Sequence, residues 1–384
     1  MKLFRLIREI INFLYIFSIV NDNFIVDYLG TSSLKVMFVV FAFVNLMSLG
    51  RFKYNKKVSR RFLFLIGMLI LAYLFNLKNY DDLQQPLLSI LSVIMIYIVA
   101  VTHQRPRLLI TFFLISVFVS SLICITSDTT LTEYTFRKTG GTGDPNEFSM
   151  MLLISIGYLV GKWRLHSSFM YKIVHIFAVL VYFVALFMAG SKSAMLVLIV
   201  LAGAYYILLL RKWTLKSMIK NTLIYVALFT LLVVVLWNLN RGMILNVFER
   251  FEDNSSAGER LLSWSYGLKL WLNYPLFGVG PQNYVHMIEQ NYPYIAEASR
   301  AAHSIYIQSF VETGVFGFSS FLVFIYLSIR NAYRKVLPVE YSLGLICILV
   351  MGFTLAAFYE KYVWLYFGII CNPYVIQQIA EKRR

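Results

Sequence analysis

Charged residues are scarce in this sequence, and proline and cysteine are scarcer still. Only 14% of the 384 residues are charged, 59% are hydrophobic, and there are 8 prolines and 3 cysteines. A soluble globular chain has about 25% charged and about 45–50% apolar residues, so this composition excludes an ordinary soluble enzyme. Cys124, Cys347 and Cys371 lack the spacing of disulfide or metal-ligand pairs. The composition is that of an integral membrane protein.

Apolar runs separated by short polar breaks fill most of the chain. They lie at residues 9–20, 34–49, 62–77, 86–102, 108–126, 147–161, 171–189, 193–210, 219–238, 304–329, 340–357 and 362–378. A membrane-spanning helix needs about 20 apolar residues. No small-residue cleavage site follows the first run, so we interpret that run as an uncleaved span. The sequence therefore predicts an all-α polytopic membrane protein with about 12 transmembrane helices, in a single membrane domain over residues 1–384.

The distribution of charge predicts the orientation of these spans. With a cytoplasmic N-terminus and alternating breaks, 24 of the 35 basic residues fall on inside segments and 16 of the 19 acidic residues fall outside. Cytoplasmic loops of membrane proteins carry an excess of lysine and arginine. Both termini are therefore predicted to be cytoplasmic. The net charge of +16 follows mostly from this topology and implies no nucleic-acid partner.

Two predicted outer loops stand out. Residues 239–303, before the tenth span, form a connection much longer than usual, and such loops are commonly functional. The stretch from Arg260 to Leu272 is rich in Leu, Trp and Tyr, which is typical of a helix lying in the membrane interface. Residues 127–146 hold three glycines, which permit close backbone approach.

His303 is the candidate general base on the predicted outer side. If the tenth span begins before it, the side chains of Arg300, His303 and Ser304 share one face of a helix. An imidazole can take a proton from a hydroxyl group near neutral pH. The positive charge of Arg300 favours the neutral imidazole that a base requires. The alternative interpretation is an interfacial histidine that anchors the helix.

Cations at the junctions of outer loops and spans are candidates for binding phosphate. They are Arg137, Lys192, Arg260 and Arg300. A guanidinium group can bind a phosphate or pyrophosphate through two parallel hydrogen bonds. Alternatively, Lys192 extends to the interface from a helix end and the arginines pair with outer acids. Asn146 is expected to cap the sixth span, with substrate binding as the alternative.

Motifs in the second half of the chain resemble the O-antigen polymerase and O-antigen ligase family. The stretch from His303-Ser304 to Gly314 and Gly317 fits the family signature His-[Asn/Ser/Gln]-x9-Gly-x-x-[Gly/Thr/Tyr]. Arg260 and Trp264 fit its Arg-x3-Trp motif, and Pro275-Leu-Phe-Gly278-Val-Gly280 fits its Pro-x-x-Gly-x-Gly motif.

Two earlier segments also resemble this family. Ser191-Lys192-Ser193-Ala194 is similar to its Ser-Arg-Ser-Ala turn, with Lys192 in place of the commoner arginine. Residues 137–148 are similar to its Arg…Gly…Pro-Asn-x-Phe segment. The resemblance therefore runs in order from about residue 137 to residue 320. A lysine keeps the positive charge but loses the bidentate geometry of arginine.

The resemblance implies glycan transfer from undecaprenyl pyrophosphate at the outer face of the bacterial inner membrane. His303 and Arg260 would be catalytic, the first as the base for the acceptor hydroxyl and the second on the pyrophosphate. The implied substrate contacts are Arg137, Lys192, Arg300, Asn146 and Ser304. No metal and no cofactor is required, and the predicted outer side has no Asp-x-Asp pair. The expected partners are the lipid-linked oligosaccharide, membrane lipids, and a chain-length regulator and flippase of the same pathway.

Several functions stay open at this point. The Gly-rich segment ending in Asp-Pro-Asn-Glu-Phe favours a polymerase over a ligase that transfers polymer to lipid A core, and the product could be O-antigen, capsule or another surface polysaccharide. A transporter would place ionisable residues near the centres of its spans, and these centres are nearly free of charge. A non-catalytic scaffold would not gather histidine and arginine on one side of the membrane.

Overall fold

The computed structural model describes residues 2–30, 34–48, 56–126, 131–132, 135–163, 169–210, 255–296, 300–334 and 337–375. The regular structure of this part is helical apart from one hairpin. The helices are α1 (Lys2–Leu29), α2 (Leu34–Leu46), α3 (Lys56–Phe75), α4 (Gln84–Thr102), α5 (Pro106–Thr126), α6 (Pro145–Lys162), α7 (Phe169–Ala189), α8 (Lys192–Leu210), α9 (Ser255–Asn273), α10 (Tyr284–Asn291), α11 (Ile305–Arg334), α12 (Val339–Met351) and α13 (Lys361–Cys371). A 3-10 turn spans Leu77–Asn79, and the hairpin pairs β1 (Leu131–Thr132) with β2 (Thr135–Lys138).

The all-α prediction is confirmed for the described part of the chain. Each predicted apolar run that falls there overlaps a helix, whereas the run at 219–238 lies outside the described residues. Four described helices are long and apolar enough to cross a membrane, namely α4, α5, α7 and α11. The count of twelve spans, the cytoplasmic termini and the loop topology stay predictions.

One predicted span ends earlier than expected. The run at 340–357 predicts a helix to its end, but α12 stops at Met351. The chain leaves the helix because the carbonyl of Gly352 accepts hydrogen bonds from Ser304 Oγ at 3.2 Å and from the Ile305 N–H at 2.8 Å. The segment after α12 therefore supports the start of α11 instead of extending its own helix.

The chain divides into two compact units, which we describe separately. The first unit comprises Met1–Ser116, Ser255–Leu337 and Gly352–Arg384. Its helices pack as α13 on α4 and as α11 on α3. An aromatic cluster fills this core: Phe62 stacks on Tyr97 with ring centroids 3.7 Å apart, and Trp364 lies 5.7 Å from Phe62 and 5.7 Å from Phe324. Such ring pairs add stabilisation beyond the area that they bury.

The second unit comprises Val117–Asn254 and Pro338–Met351. Helix α12 packs on α6 and α8, and α6 packs on α7. A small residue lets two of these backbones approach closely, since a Cβ added at Gly157 would lie 3.1 Å from Leu343 Cβ. Membrane helices commonly pack through small residues in this way. The β1–β2 hairpin also belongs to this unit, and the sequence did not predict it.

Helix α11 of the first unit is broken where a glycine turn meets it. Gly314 has φ +65 and ψ −169, and Gly278 in the Pro275–Gly280 turn has φ +68. The carbonyls of Val311 and Glu312 accept hydrogen bonds from Val279 N at 3.0 Å and Gly280 N at 2.9 Å.

The backbone groups after the break are paired in the same way. The N–H groups of Val315 and Phe316 donate to the carbonyls of Pro275 at 2.9 Å and Leu276 at 3.3 Å. Non-helical backbone is tolerated at membrane depth only when its polar groups are satisfied inside the protein. The Pro-x-x-Gly-x-Gly motif and the Gly314 of the histidine signature are thus two sides of one backbone contact.

Substitution of Gly314 with alanine should destabilise the first unit strongly. The combination of φ +65 and ψ −169 is essentially restricted to glycine, and it costs a residue with a side chain about 1–3 kcal/mol. The new Cβ would also lie 2.6 Å from Gly278 N. We expect a clear fall in the thermal unfolding midpoint of the detergent-purified protein. Gly67→Ala is the matched control, because a Cβ at that position in α3 meets nothing within 4 Å. Equal midpoints for the two variants would contradict the contact.

Candidate functional site

Helix α9 carries Arg260 and occupies the stretch in which the sequence predicts an interfacial helix. It spans Ser255–Asn273, so the helix prediction is confirmed, while its position at the membrane interface stays a prediction. Leu261 and Leu272 are 64% and 67% exposed. Apolar side chains exposed on such a helix suit contact with the lipid boundary.

The turn of α9 that follows Arg260 is hydrogen-bonded to the backbone just before His303. Ser263 Oγ donates to the Ala301 carbonyl at 2.6 Å, and Trp264 Nε1 donates to the Ala302 carbonyl at 2.8 Å. Residues three and four apart share one face of a helix. Arg260 therefore lies on the face of α9 whose next turn contacts the segment leading to His303.

His303 lies outside the helix in which the sequence placed it. Helix α11 begins at Ile305, and His303 has φ +45. The prediction that Arg300, His303 and Ser304 share one helical face is therefore wrong. The physical reason is the capping of α11: Ser304 Oγ accepts a hydrogen bond from Ile307 N at 3.4 Å, so the helix starts after Ser304.

Two of the predicted substrate contacts near His303 have protein partners. Arg300 donates from Nη1 to Glu289 Oε1 at 2.7 Å and from Nε to the Ile295 carbonyl at 3.2 Å. Ser304 is buried, and its hydroxyl donates to Gly352. The charge of Arg300 is thus balanced by Glu289, which weakens the expected repulsion between Arg300 and a protonated His303.

Glu312 is a buried acid in helix α11, nine positions after His303. It is 1% exposed, and its carboxyl oxygens accept hydrogen bonds from Gln282 N at 3.0 Å and Tyr284 N at 3.3 Å. The carboxyl group of Glu312 is thus bonded to backbone groups of the first unit. Glu312 holds the chain that follows the glycine turn.

Tyr284 connects this acid to helix α9. Its hydroxyl donates to the Ser263 carbonyl at 2.8 Å and lies 3.0 Å from Ser263 Oγ. Burial raises the pKa of Tyr284 to about 12, so the group is a neutral phenol at physiological pH. Sequence reasoning missed the roles of Ser263 and Tyr284. An acidic residue, Glu312, within an apolar run was the one signal available in the sequence.

The second unit gathers another group of predicted site residues. Arg137 on β2 donates from Nε to the Ala189 carbonyl at 2.9 Å and from Nη2 to Asn146 Oδ1 at 2.9 Å. Ser191 Oγ donates to the same Asn146 oxygen at 2.8 Å. Lys192 is the first residue of α8, two positions after the turn residue Gly190. The motif segments around residues 137–146 and 189–192 therefore meet at the Asn146 side chain.

The expected capping role of Asn146 is wrong. Asp144 is the N-cap of α6, and its side chain accepts from Asn146 N at 2.6 Å and Glu147 N at 2.9 Å. Pro145 occupies the first position of the helix, where proline is favoured because its missing N–H is not needed. This proline fixes the cap one residue before it, which leaves the Asn146 side chain available to Arg137 and Ser191.

The predicted site residues thus fall into two groups. Arg260, Arg300, His303 and Ser304 belong to the first unit, and Arg137, Asn146 and Lys192 belong to the second. Among the described residues, no group of three or more His, Cys, Asp or Glu side chains could hold a metal ion.

The apolar helices define a multi-pass membrane protein. A family model described as O-antigen ligase matches residues 177–322, which include Lys192, Arg260, Arg300, His303 and Ser304. This match confirms the resemblance to the O-antigen ligase/polymerase family that is seen in the motifs of the chain. No curated protein matches the chain significantly. The family supports a glycosyltransferase-type enzyme that acts on lipid-linked glycans in polysaccharide biosynthesis.

Proposed function

We propose that the protein polymerises lipid-linked oligosaccharide repeat units into a surface polysaccharide. The donor is a glycan on undecaprenyl pyrophosphate, and the reaction takes place on the outer face of the bacterial inner membrane without a metal ion. One observation carries this proposal: the helix that bears Arg260 is hydrogen-bonded, one turn later, to the two residues that precede His303. The cation proposed for the leaving group and the base proposed for the acceptor therefore belong to two segments that are hydrogen-bonded to each other.

The proposed reaction forms one bond and breaks one. The acceptor sugar hydroxyl attacks the anomeric carbon of the donor, and the bond from this carbon to the pyrophosphate oxygen breaks. His303 takes the hydroxyl proton as the new bond forms, because sugar hydroxyls are very weak acids. Arg260 stabilises the negative charge that appears on the departing undecaprenyl pyrophosphate.

The remaining predicted contacts have different support. Arg137, Lys192 and Asn146 are proposed to bind substrate because of their motifs. Arg300 and Ser304 both have protein partners. We therefore propose that they stabilise the backbone around His303 and do not bind the lipid-linked donor.

Two alternatives to the polymerase remain. A ligase would transfer finished polymer to lipid A core, and it would use the same chemistry with a different acceptor. A transporter of the precursor is the third alternative. The Asp144-Pro-Asn-Glu-Phe148 segment favours the polymerase, as argued from the sequence, and a flippase and chain-length regulator remain the proposed partners.

Deletion of the gene, read on a surface-polysaccharide gel, separates these functions. We expect lipid A core that bears a single repeat unit, which is the product left by loss of a polymerase. Bare core with polymer retained on the lipid carrier would indicate a ligase. Loss of capsule with normal lipopolysaccharide would indicate a capsule polymerase, and loss of all outer-face repeat units would indicate a transporter.

A further inference from the structure

His303 has a backbone conformation that few residues with a side chain adopt. Gln282 and His303, with φ +57 and +45, are the non-glycine residues with positive φ in the part of the chain that the structure describes. Such conformations are unfavourable and persist only when the surrounding structure holds them. The direction of the His303 imidazole therefore depends on whatever fixes the backbone on each side of it.

The backbone before His303 is held by helix α9. The Ala301 and Ala302 carbonyls accept hydrogen bonds from Ser263 Oγ and Trp264 Nε1, at 2.6 and 2.8 Å. Two consecutive carbonyls are thus fixed by two consecutive residues of one helix. Ala302 is 3% exposed and Ser263 is fully buried, so water does not readily replace these bonds.

The backbone after His303 is held independently of α9. Ser304 Oγ and Ile305 N both donate to the Gly352 carbonyl, at 3.2 and 2.8 Å. His303 is therefore the one residue between two anchored segments. Loss of the α9 bonds would release its N-terminal side while the start of α11 stays in place.

Further hydrogen bonds hold Ser263, one of the two side chains that donate to these carbonyls. The Tyr284 hydroxyl contacts both Ser263 oxygens, and the Tyr284 N–H donates to Glu312. The same carboxyl group accepts from Gln282 N, so it contacts the chain at the other left-handed residue. One continuous set of hydrogen bonds therefore runs from Glu312 through Tyr284 and Ser263 to the residue pair before His303.

We propose that Ser263 and Trp264 are positioning residues that aim the His303 imidazole at the acceptor hydroxyl. This inference rests on the proposed role of His303 as the base. Neither residue needs to contact substrate for this purpose, because each acts through a carbonyl next to the histidine. A displacement of about 1 Å in a catalytic group can cost about 100-fold in rate.

The test uses two substitutions on α9 and a matched control for each. Trp264→Phe removes the indole donor and keeps the aromatic bulk, while Trp271→Phe removes the equivalent donor to Pro275, which is not next to His303. Ser263→Ala removes the hydroxyl donor, while Ser265→Ala removes a hydroxyl that donates to Leu262 within the same helix. Each purified variant is assayed for elongation of lipid-linked repeat units, and its thermal unfolding midpoint is measured.

Trp264→Phe and Ser263→Ala should each lower kcat by about 10-fold and the double variant by about 100-fold. The KM for the lipid-linked donor should stay unchanged. The substitutions displace the imidazole that accepts the proton, but they leave the contacts to the lipid-linked donor in place. The two controls should stay within about twofold of wild type. Loss of kcat in the controls equal to that in the test variants, or a rise in KM with kcat unchanged, would overturn the proposal.

A double-mutant cycle with His303→Asn distinguishes this proposal from the function on which it rests. In that background Trp264→Phe should have no further effect on the residual rate, because it acts through the missing imidazole. The same fractional loss in both backgrounds would mean a general structural role and would overturn the positioning role alone. Wild-type elongation by His303→Asn itself would instead overturn the base assignment. If the residual rate is too small to compare, the kcat and KM of the single variants decide.

Discussion

Replacement of His303 with asparagine should lower the rate of chain elongation by about 10²–10⁴-fold while the protein stays folded in the membrane. This loss corresponds to about 3–5 kcal/mol of the activation barrier. Asparagine is the informative substitution because it tolerates a left-handed backbone, as histidine does, and the φ of +45 at His303 would be retained. Alanine would remove the base and also favour a different backbone.

His286 provides the matched control for this experiment. Its Nδ1 lies 3.4 Å from Asp81 Oδ2 and its Nε2 lies 2.8 Å from Gln290 Nε2. A histidine beside a carboxylate is itself a familiar arrangement for a base, so His286 is the strongest rival. However, the Asp81 side chain is 83% exposed, and His286 belongs to none of the family motifs. His286→Asn should therefore elongate chains at nearly the wild-type rate. The opposite pattern for the two variants would move the base to His286.

The pH dependence gives a second reading of the same prediction. A histidine that acts as a base must be neutral, and protonation at low pH removes its acceptor. The wild-type rate should therefore fall as the pH is lowered below about 6. The residual rate of His303→Asn should lose this acid limb. An acid limb that survives in the variant would belong to another group.

Hydropathy and charge sufficed to predict most of the helices because they report how each segment meets lipid and water. The run at residues 108–126 predicts α5 to within two residues, and the Leu- and Trp-rich stretch after Arg260 predicts α9. The β1–β2 hairpin was not predictable in this way, because its two strands are too short for an alternating pattern to be distinguished. The end of α12 was also missed, because it depends on the Gly352 carbonyl and its partners on a distant segment.

The identities of the candidate site residues were predictable from the sequence, whereas their arrangement in space was not. His303 and Arg260 stand out by residue type and motif. The left-handed backbone of His303, however, depends on hydrogen bonds that side chains about 40 positions earlier in the chain donate to the preceding carbonyls. No local sequence pattern reports such contacts. The cap of α6 is a different case. Asn and Asp are equally good caps, and attention to Pro145 would have selected Asp144 correctly.

The paired glycines show how two motifs can have a single cause. The Pro275–Gly280 turn and Gly314 are more than 30 positions apart in sequence, yet their backbones exchange four hydrogen bonds. Each motif alone indicates only a position where backbone approaches something closely. The structure identifies each as the other's partner, and it places this contact at the buried face that also holds Glu312.

Replacement of Arg260 with alanine should lower elongation by about 10²–10³-fold, the usual cost of removing a donor that stabilises charge in the transition state. Negative charge grows on the pyrophosphate as its bond to the anomeric carbon breaks, and a guanidinium group is always charged and presents two parallel donors. The hydrogen bonds donated by Ser263 and Trp264 fix the helical turn that follows Arg260. The backbone of Arg260 is therefore already in position before the substrate binds.

The lysine substitution and a second cation on the same helix separate geometry from charge. Arg260→Lys should restore only part of the rate, because the charge returns without the bidentate geometry. Lys269→Ala removes a cation whose Nζ lies 4.6 Å from the Tyr266 ring, and it should leave elongation within about twofold of wild type. Full activity of Arg260→Ala would identify Arg260 as a surface ion-pair residue, which contributes at most about 1 kcal/mol. Equal losses for Arg260→Ala and Lys269→Ala would mean that the charge of α9 as a whole attracts the anionic donor. Direct binding of the pyrophosphate depends on one guanidinium group, whereas long-range electrostatic attraction depends on every cation of the helix.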